Sequence, residues 1–580
     1  MKCFYSFPSG RWLIALLFLV GHLQPARGQA PAWQTAIALA NATAVDASQV
    51  AATALDASGN VYIVGKFNGT VRFGNTSLTG TPINPSDPPG SARNDDMFVA
   101  KWSPATQGFV WALRAGGPLS DLATSVAVSG SSVYVVGSFV GTADFGQTTL
   151  TSIPQAYADL FVTKISDAGT SAVFTWALRA GGAASDVAQA VAVSGTSVYV
   201  AGNFLGTADF GTRRVTSAGN QEAFVAKLTD LGPSADFTWV QRAGGIDADY
   251  AYALATNGND VYMAGNYYGV ASFGNITLSS NYYHAFVAKL TDAGPTSSFV
   301  WAEEAGASTS VAYALVVSGA NVYVTGNFAN QASFGSTILA VPNGSGLATD
   351  VFVAKLTDAG TSGHFVWAQR AGGPGGDTAR ALAVSGNDLY VAGVFNSSAS
   401  FGSTTLNSLG SGNLFVTKLT DDGSTSRFAW AQGAYDTYTV SATSVAVTGS
   451  QVVIGGQFQG TANFGNITIT QSTTNFVGLF ALLQTGTGLA TRSTSLLEGM
   501  GLFPNPAQTA VMLHLPTKAS VSEARVVLLD AAGRPVRTTT VHLFGVGTAY
   551  ILNVQGLAPG VYVLHVQVGE DMAVRRLTVE

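Results

Sequence analysis

The sequence SVAVSGSSVYVVGSF at Ser125–Phe139 contains two apolar runs separated by a short polar turn. It returns as AVAVSGTSVYVAGNF at Ala190–Phe204 and as ALAVSGNDLYVAGVF at Ala381–Phe395. Short runs rich in Val and Tyr, bounded by Gly, Ser and Asn, are typical of β-strands. Their recurrence indicates that an internal repeat builds most of the chain.

The dipeptide Phe-Gly marks seven copies of the repeat, at intervals of 61 to 72 residues. The phenylalanines are Phe73, Phe145, Phe210, Phe273, Phe334, Phe401 and Phe464. In each copy we predict four strands, A to D, typified by SVAV, VYVAGNF, FVAKL and FVWALRA. Strands B and C are almost continuously apolar, which favours sheets covered on both faces. The pattern predicts an all-β, seven-bladed β-propeller over residues 29–483.

The ends of the repeat predict how the ring closes. The last copy stops at its C strand, Phe476–Leu483, and the segment PAWQTAIA at Pro31–Ala38 supplies the missing D strand. Trp33 then joins the tryptophans of the WALRAGG-like phrases, which begin at Trp111, Trp176, Trp239, Trp301, Trp367 and Trp430. We expect each tryptophan to fill apolar space in an outer strand, and each Gly pair to permit the turn into the next blade.

The repeat resembles the SBBP-type β-propeller family over roughly residues 31–483. The matching features are an Asp-containing loop, an A-AV---G-VYV-G strand pair, a DAFV-KL strand and an aromatic strand that ends in Gly-Gly. The resemblance implies a propeller but says little about function, because propellers include enzymes, lectins and scaffolds.

The N-terminus predicts export. Lys2 and Arg11 precede a short apolar run, Trp12–Val20, and small residues then lead to an expected cleavage after Gly28. The run is too short to span a bilayer. We therefore predict a signal peptide at residues 1–28 and no membrane span. The single cysteine, Cys3, lies inside this segment. The formal net charge of the chain, −6, argues against nucleic acid as a partner, because nucleic acid binds clusters of positive charge.

The C-terminal part has a different composition. A polar, small-residue stretch at 484–500 predicts a linker, and alternating strands at 501–580 predict a small Ig-like β-sandwich. This part resembles the C-terminal sorting domains of the type IX secretion system. The matching residues are Pro504, Asn505, Pro506, Asp530, Gly533, Gly560 and Tyr562. The resemblance implies outer-membrane export, contact with the secretion machinery, and release or attachment at the cell surface.

The sequence offers few candidates for catalysis. HExxH, GxSxG, cysteine-pair and EF-hand patterns are absent. The segment Ser166–Trp176 resembles the Asp box of sialidase propellers superficially, but Trp176 lies further from Asp167 than in that motif. Arg380 is the only arginine on a predicted inner strand. We predict no catalytic residue, no metal and no cofactor, and keep a glycan-acting hydrolase as an alternative that requires carboxylates beside Arg380.

Two charged positions recur in the repeat. Asp121, Asp186, Asp249 and Asp377 precede strand A, and we expect them to accept backbone N–H bonds rather than to form a cation-binding ring. Lys101, Lys164, Lys227, Lys289, Lys355 and Lys418 lie in strand C, and we expect their stems to cover apolar surface.

Departures from the repeat are the better clues to function. One is a Pro- and Gly-rich insertion at Thr81–Asp96, and the other is a concentration of tyrosines in the fourth copy. The candidate ligand-binding residues are Tyr250, Tyr252, Tyr267, Tyr268, Tyr282, Tyr283, His284, Tyr435 and Tyr438. Tyrosines on one face suit sugar rings or a protein partner, whereas the alternative is packing between blades.

These patterns favour a non-catalytic, secreted or cell-surface binding protein with an unknown protein or carbohydrate ligand. A structural surface protein without a specific ligand is the alternative if the tyrosines are buried.

Overall fold

The computed structural model describes residues 30–41, 43, 46–84, 94–153, 157–306, 308–342, 348–436, 438–471, 475–485, 501–515, 523–530, 534–543, 548–568 and 571–580. The predicted signal peptide at 1–28, most of the predicted linker and the centre of the Thr81–Asp96 insertion lie outside these residues. The chain divides into two compact units, with the boundary between Thr485 and Gly486. In the described parts, no helix has the length and apolar character needed to cross a membrane.

The first unit is built from β-strands and turns, as its Val-, Thr- and Gly-rich composition predicts. Its strands are β1 Trp33–Ala38, β2 Ala40–Asn41, β3 Ala47–Leu55, β4 Val61–Asn68, β5 Thr70–Phe73, β6 Thr76–Thr79, β7 Asp96–Ser103, β8 Gly108–Ala115, β9 Asp121–Ser129, β10 Ser132–Val140, β11 Thr142–Phe145, β12 Thr148–Thr151, β13 Ala158–Asp167, β14 Ala172–Gly182, β15 Val187–Ser194, β16 Ser197–Phe204, β17 Thr207–Phe210, β18 Arg213–Thr216, β19 Glu222–Asp230, β20 Ala235–Ala243, β21 Tyr250–Asn257, β22 Asp260–Phe273, β23 Ile276–Asp292, β24 Ser297–Ala305, β25 Ser310–Ser318, β26 Asn321–Ala329, β27 Gln331–Phe334, β28 Thr337–Ala340, β29 Thr349–Asp358, β30 Gly363–Ala371, β31 Thr378–Ser385, β32 Asp388–Phe395, β33 Ser398–Phe401, β34 Thr404–Asn407, β35 Asn413–Asp421, β36 Ser426–Ala434, β37 Val440–Thr448, β38 Gln451–Phe458, β39 Thr461–Phe464, β40 Ile467–Thr470 and β41 Val477–Gln484.

The strands form antiparallel four-stranded sheets, which are consistent with propeller blades. In strand order they are sheet I (β3-β4-β7-β8), sheet II (β9-β10-β13-β14), sheet III (β15-β16-β19-β20), sheet IV (β21-β22-β23-β24), sheet V (β25-β26-β29-β30), sheet VI (β31-β32-β35-β36) and sheet VII (β37-β38-β41-β1). The first strand of each sheet contacts the first strand of the next, and β37 contacts β3. The second and third strands are almost wholly buried, because apolar side chains on both of their faces pack against neighbouring sheets.

The N-terminal strand completes sheet VII. Strand β1 pairs antiparallel with β41, with Trp33 opposite Leu483 and Ala38 opposite Leu479. Trp33 is 7% exposed, and its ring meets Phe464 edge-on at a centroid distance of 4.9 Å. Residues from the two ends of the repeat therefore share one sheet, as the phase of the repeat predicts.

Each repeat also holds a short outer hairpin, which the prediction of four strands per copy missed. The hairpins are β5-β6, β11-β12, β17-β18, β27-β28, β33-β34 and β39-β40, and in sheet IV the ends of β22 and β23 form the equivalent. The Phe-Gly dipeptide lies at the hairpin turn, where Gly74 has φ 61°. The prediction missed the hairpins because each of their strands has only four residues, too few to stand out as a strand from the sequence.

The Gly pair of WALRAGG does more than turn the chain. Gly116 has φ 147° and bridges Asp144 in the next repeat's hairpin. A Cβ on Gly117 would collide with the carbonyl oxygen of Thr142 in that hairpin. The pair therefore allows the end of one sheet to lie directly against the outer hairpin of the next, which corrects the expectation of a turn alone.

A buried polar cluster joins neighbouring sheets, and we call it the clamp. In the contact between sheets III and IV, Asp292 accepts hydrogen bonds from Lys227 Nζ at 2.6 Å, Tyr199 Oη at 2.7 Å and Trp239 Nε1 at 3.0 Å. Burial favours a raised pKa for Asp292, but these donors outweigh it, so the pKa is lowered. The clamp carboxylates are Asp167, Asp230, Asp292, Asp358 and Asp421. Five of the repeated lysines are thus buried ion-pair partners, which corrects the expectation that their stems merely cover apolar surface. The sixth, Lys418, pairs instead with Asp388 of its own sheet at 2.7 Å.

The contact between sheets VII and I lacks the clamp on both sides. Leu483 stands where the other sheets have lysine, and Pro104 stands where they have aspartate. The contact is apolar instead, with Phe480 packing against Trp102 at 5.2 Å and against Phe109 at 6.1 Å. Because both partners are replaced together, no buried charge is left without its counter-ion.

The second unit is a small β region of two sheets. Its strands are β42 Gly501–Phe503, β43 Ala510–Leu515, β44 Glu523–Leu529, β45 Pro535–His542, β46 Thr548–Asn553, β47 Gly560–Val568 and β48 Asp571–Val579. The sheets have the orders β42-β43-β46 and β45-β44-β47-β48. Side chains of both sheets, including Val511, Leu552 and Leu564, form one hydrophobic core.

Candidate functional site

A β-bulge recurs at one point of the innermost strand of every sheet in the first unit. In each, the register with the second strand skips one residue. A bulge bends its strand and re-aims the side chain of the extra residue. The skipped residues are Ala51, Thr124, Gln189, Tyr252, Tyr313, Arg380 and Thr443.

All seven bulge residues line one cavity of about 490 Å³, which we call the channel site. Gln49, Val394, Ser441, Ala442 and Gln457 complete its lining. Because every sheet contributes the residue at one repeat position, the repeat fixes the place of the site and the individual copies determine its chemistry.

The lining of the channel site differs from side to side. Tyr252 and Tyr313 meet at a centroid distance of 5.4 Å, and the guanidinium of Arg380 lies 4.6 Å over the Tyr313 ring. On other sheets, Thr124 and Thr443 donate to the carbonyl oxygens of Ala188 and Val50, each at 2.7 Å. The threonines therefore hold adjacent inner strands together, while the aromatic side presents flat surface and a positive charge.

The tyrosine surface of sheet IV continues outward from the channel site. Tyr250 stacks on Tyr252 with ring centroids 6.0 Å apart, and Tyr268 meets Tyr283 at 5.3 Å. Burial raises the pKa of Tyr283, and the nearby Tyr250 hydroxyl adds to this effect. The tyrosine surface thus comprises five tyrosines in two groups of ring contacts: Tyr250, Tyr252 and Tyr313 at the channel site, and the pair Tyr268 and Tyr283.

The remaining candidate tyrosines lie elsewhere. Tyr267 is fully buried, and Tyr435 packs against Phe395 at 6.3 Å. Tyr282 and Tyr438 are 56% and 64% exposed, but no ring contact joins them to the tyrosine surface among the described residues. The structure thus brings together Tyr250, Tyr252, Tyr268 and Tyr283 and leaves the other four apart.

His284 is buried and belongs to a cluster that replaces an ion pair of the repeat. In sheet III, the equivalent positions hold Glu222 and Arg242, which pair at 3.0 Å. In sheet IV, His284 Nδ1 lies 3.3 Å from Glu304 Oε2, and the Tyr267 hydroxyl donates to the same oxygen.

The hydrogen bond from His284 lowers the pKa of Glu304 against the effect of partial burial, and Tyr267 reinforces it. The cluster joins β22, β23 and β24, beside the register shift between β22 and β23 at which Tyr268 and Tyr283 lie.

The recurrent aspartates before strand A bind backbone. Asp121 accepts the N–H of Gly117 at 2.6 Å, Asp186 that of Gly182 at 2.7 Å, and Asp377 that of Gly373 at 2.9 Å. Among the described residues, no group of three or more His, Cys, Asp or Glu side chains is placed to hold a metal ion.

Sequence reasoning noticed Arg380 but missed Tyr313 and Gln189. The available signal was a position of strand A whose residue differs widely from copy to copy. Its importance depends on the bulge, which the spacing of apolar residues does not reveal. No carboxylate lies among the residues that line the channel site.

The motif residues of the second unit make hydrogen bonds to backbone groups, and those of Asn505 hold the terminal strand β48. Asn505 donates to the carbonyl oxygen of Arg576 and accepts the N–H of Thr578, both at 2.9 Å. Tyr562 donates to the carbonyl oxygen of Ala558 at 2.8 Å. Asp530 accepts the Arg534 N–H at 2.9 Å.

Gly560 begins β47, opposite Val579 of β48. Pro504 and Pro506 flank Asn505, and Gly533 lies outside the described residues.

The folds and contacts define an all-β protein with repeated four-stranded sheets and a small C-terminal β region. Residues 501–580 match the family model described as a secretion system C-terminal sorting domain, which confirms the predicted sorting domain. This domain implies export by the type IX secretion system and an interaction with its machinery. No curated protein matches the chain.

Among solved structures, an acylaminoacyl peptidase of Pyrococcus horikoshii is similar at a TM-score of 0.35 with 8% sequence identity. The match covers 82% of this chain and 58% of that one, so the chain spans little more than half the length of that protein.

Proposed function

We propose that the first unit is a seven-bladed β-propeller that acts as a non-catalytic binding protein on the cell surface or after release. In this proposal the seven sheets are the blades, and β1 closes the ring. The second unit is an Ig-like sandwich that the secretion machinery recognises. The proposed ligand is a carbohydrate or a protein that binds the end of the ring where the sheet IV tyrosines lie.

The observation that carries this proposal is the continuous tyrosine surface that leads into the channel site. Tyr268 is 38% exposed, although most large apolar and aromatic side chains of the unit are buried. Tyrosine offers rigid contact area with a polar end and loses little conformational entropy on binding. Tyr250, Tyr268 and Tyr283 have no tyrosine at the equivalent positions of the other sheets, so the repeat folds without tyrosine there.

A binding screen of the full chain against glycans and surface proteins tests the proposal. The double variant Tyr268→Ala and Tyr283→Ala should lose the binding of any ligand that the screen identifies. Tyr157→Ala is the matched control, because Tyr157 is 52% exposed and lies outside the tyrosine surface. Ligand binding that survives the double variant contradicts the proposed site. A screen without any ligand favours a structural surface protein.

A reporter fused to residues 485–580 tests the export part. We expect the reporter outside the outer membrane, and a tail without β48 should leave it in the periplasm, because β48 pairs along β47 and anchors Asn505. Export of both fusions contradicts the role of the folded tail.

A further inference from the structure

Arg380 has an environment unlike that of the other repeat arginines. Arg114, Arg179, Arg242 and Arg370 each pair with a buried carboxylate of their own sheet. Among the described residues, no carboxylate lies within ion-pair distance of Arg380, and its described contact is the face of Tyr313. It is an exposed cation in a channel that has no acidic lining residue, within a protein of net charge −6.

The other lining groups are neutral and suit a hydroxyl-rich ligand. Gln49, Gln189 and Gln457 supply amide donors and acceptors, and Ser441 adds a hydroxyl. The faces of Tyr252 and Tyr313 offer flat apolar surface of the kind on which the C–H face of a sugar ring packs. A volume of about 490 Å³ falls in the ordinary range for small-ligand sites.

The positive charge of Arg380 favours a sugar that carries a carboxylate. A guanidinium binds a carboxylate through two parallel N–H···O bonds, which is stronger and more directional than a neutral contact. A polyanion such as nucleic acid needs many cations, whereas the channel site has one.

We infer that the channel site binds a carboxylate-bearing sugar, a uronic acid residue of a glycan, with its carboxylate on Arg380 and its ring on Tyr252 and Tyr313. This inference rests on the proposed binding function and adds the ligand class. The tyrosine surface outside the channel contacts the neighbouring sugar units, since it continues directly from Tyr252.

Matched probes test the inference. Trigalacturonic acid and its methyl ester share one sugar skeleton, and esterification removes the charge of each carboxyl group and adds a methyl group. Calorimetric titration of the full chain measures the binding of both. We expect the acid to bind at least about tenfold more tightly than the ester, as a charge-assisted hydrogen bond requires. Arg380→Gln should weaken the binding of the acid far more than that of the ester and so remove that preference, and Arg380→Lys should retain part of it. Thermal melting checks that the variants fold.

The results of these titrations can overturn the inference about the uronic acid without overturning the proposed binding function. Equal affinity of the wild-type chain for acid and ester, or no binding of either, overturns the inference. So does the binding of a glutamate-rich peptide without binding of the uronate. In each case the tyrosine variants still report on the proposed function through the ligand found by the screen. An Arg380→Gln variant that keeps the preference for the acid also overturns the inference.

Discussion

At the residue scale, the repeat is held together by a few polar groups whose partners lie in another sheet. Asp292 gathers three donors from sheet III, and the lysine among them is buried. A buried ion pair is costly to break, because removing one partner leaves a charge without water or counter-ion. In sheets I to V the tyrosine, lysine and tryptophan are therefore spaced to meet one carboxylate of the next sheet.

We predict that Asp292→Ala lowers the free energy of unfolding by about 3–5 kcal/mol, since it strands the charge of Lys227. Asp209→Ala is the matched control: Asp209 pairs with Arg214 on the surface, with side chains 42% and 69% exposed. Exposed pairs contribute about 0–1 kcal/mol. Chemical denaturation measures both variants, and equal losses would show that the clamp has no special role.

Asp121 should make stability depend on pH. Burial raises its pKa to about 8, against the hydrogen bond from the Gly117 amide and with a contribution from Asp96. The folded state thus keeps a proton that the unfolded state, with an ordinary pKa of 3.8, releases. This contribution is complete below the unfolded pKa and is lost as the pH rises through the folded pKa.

The variant Asp121→Asn keeps an acceptor for Gly117 but does not titrate. Relative to this variant, we expect the melting temperature of the wild-type chain to fall as the pH rises from about 5 to about 9. Melting curves across that range provide the measurement. Parallel pH profiles for the two proteins would mean that Asp121 is ionised throughout.

At the element scale, the outer hairpins explain the Gly pair. Phe145, at the end of β11, packs against Phe161 at 4.9 Å, while the backbone of β11 lies against Gly116 and Gly117. The hairpin thus covers the outside of its own sheet and reaches the preceding one. Only glycine permits so close an approach between two backbones.

We predict that Gly117→Ala destabilises the protein by about 1–3 kcal/mol, because the new methyl group forces the hairpin away from sheet I. Gly108→Ala is the control, since a Cβ there would come no closer than 3.7 Å to its nearest neighbour. Hydrogen exchange should show faster exchange in Thr142–Phe145 for the first variant alone. Unchanged protection of that strand would contradict the packing argument.

At the scale of the whole molecule, sheet VII depends on both ends of the repeat. Trp33 and Leu39 belong to different buried clusters, the first with sheet VI residues and the second with sheet I residues. The N-terminal segment thus contacts both neighbours of sheet VII. Its loss exposes the edge of β41, which other chains can then pair with.

Deletion of residues 30–41 should lower the melting temperature of the whole first unit and promote aggregation. Trp33→Ala, a milder change, should cost about 3–5 kcal/mol for the cavity it leaves. Gln34→Ala is the control, because Gln34 is exposed. Light scattering during thermal melting records both effects, and a deletion variant as stable as the wild type would refute closure by β1.

The sequence determined the repeat, its β-strands, the pairing of its two ends and the sorting domain. These features are local or recurrent: apolar runs of strand length, turn residues at fixed spacing and a C-terminal motif. The clamp partners Lys227 and Asp292 also recur in the sequence of each similar copy, but the sequence does not show that they form an ion pair. They are far apart along the chain, and recurrence alone does not distinguish a buried ion pair from a solvated stem.

Tertiary structure alone decided the channel site. One bulged residue in each inner strand faces the same cavity, so Gln189, Tyr252, Tyr313 and Arg380 come together from four sheets. A bulge shifts the register by one residue, which no pattern of alternating side chains reveals. The sequence contains the residues of the site, and the packing of the first strands of successive sheets against one another places them together.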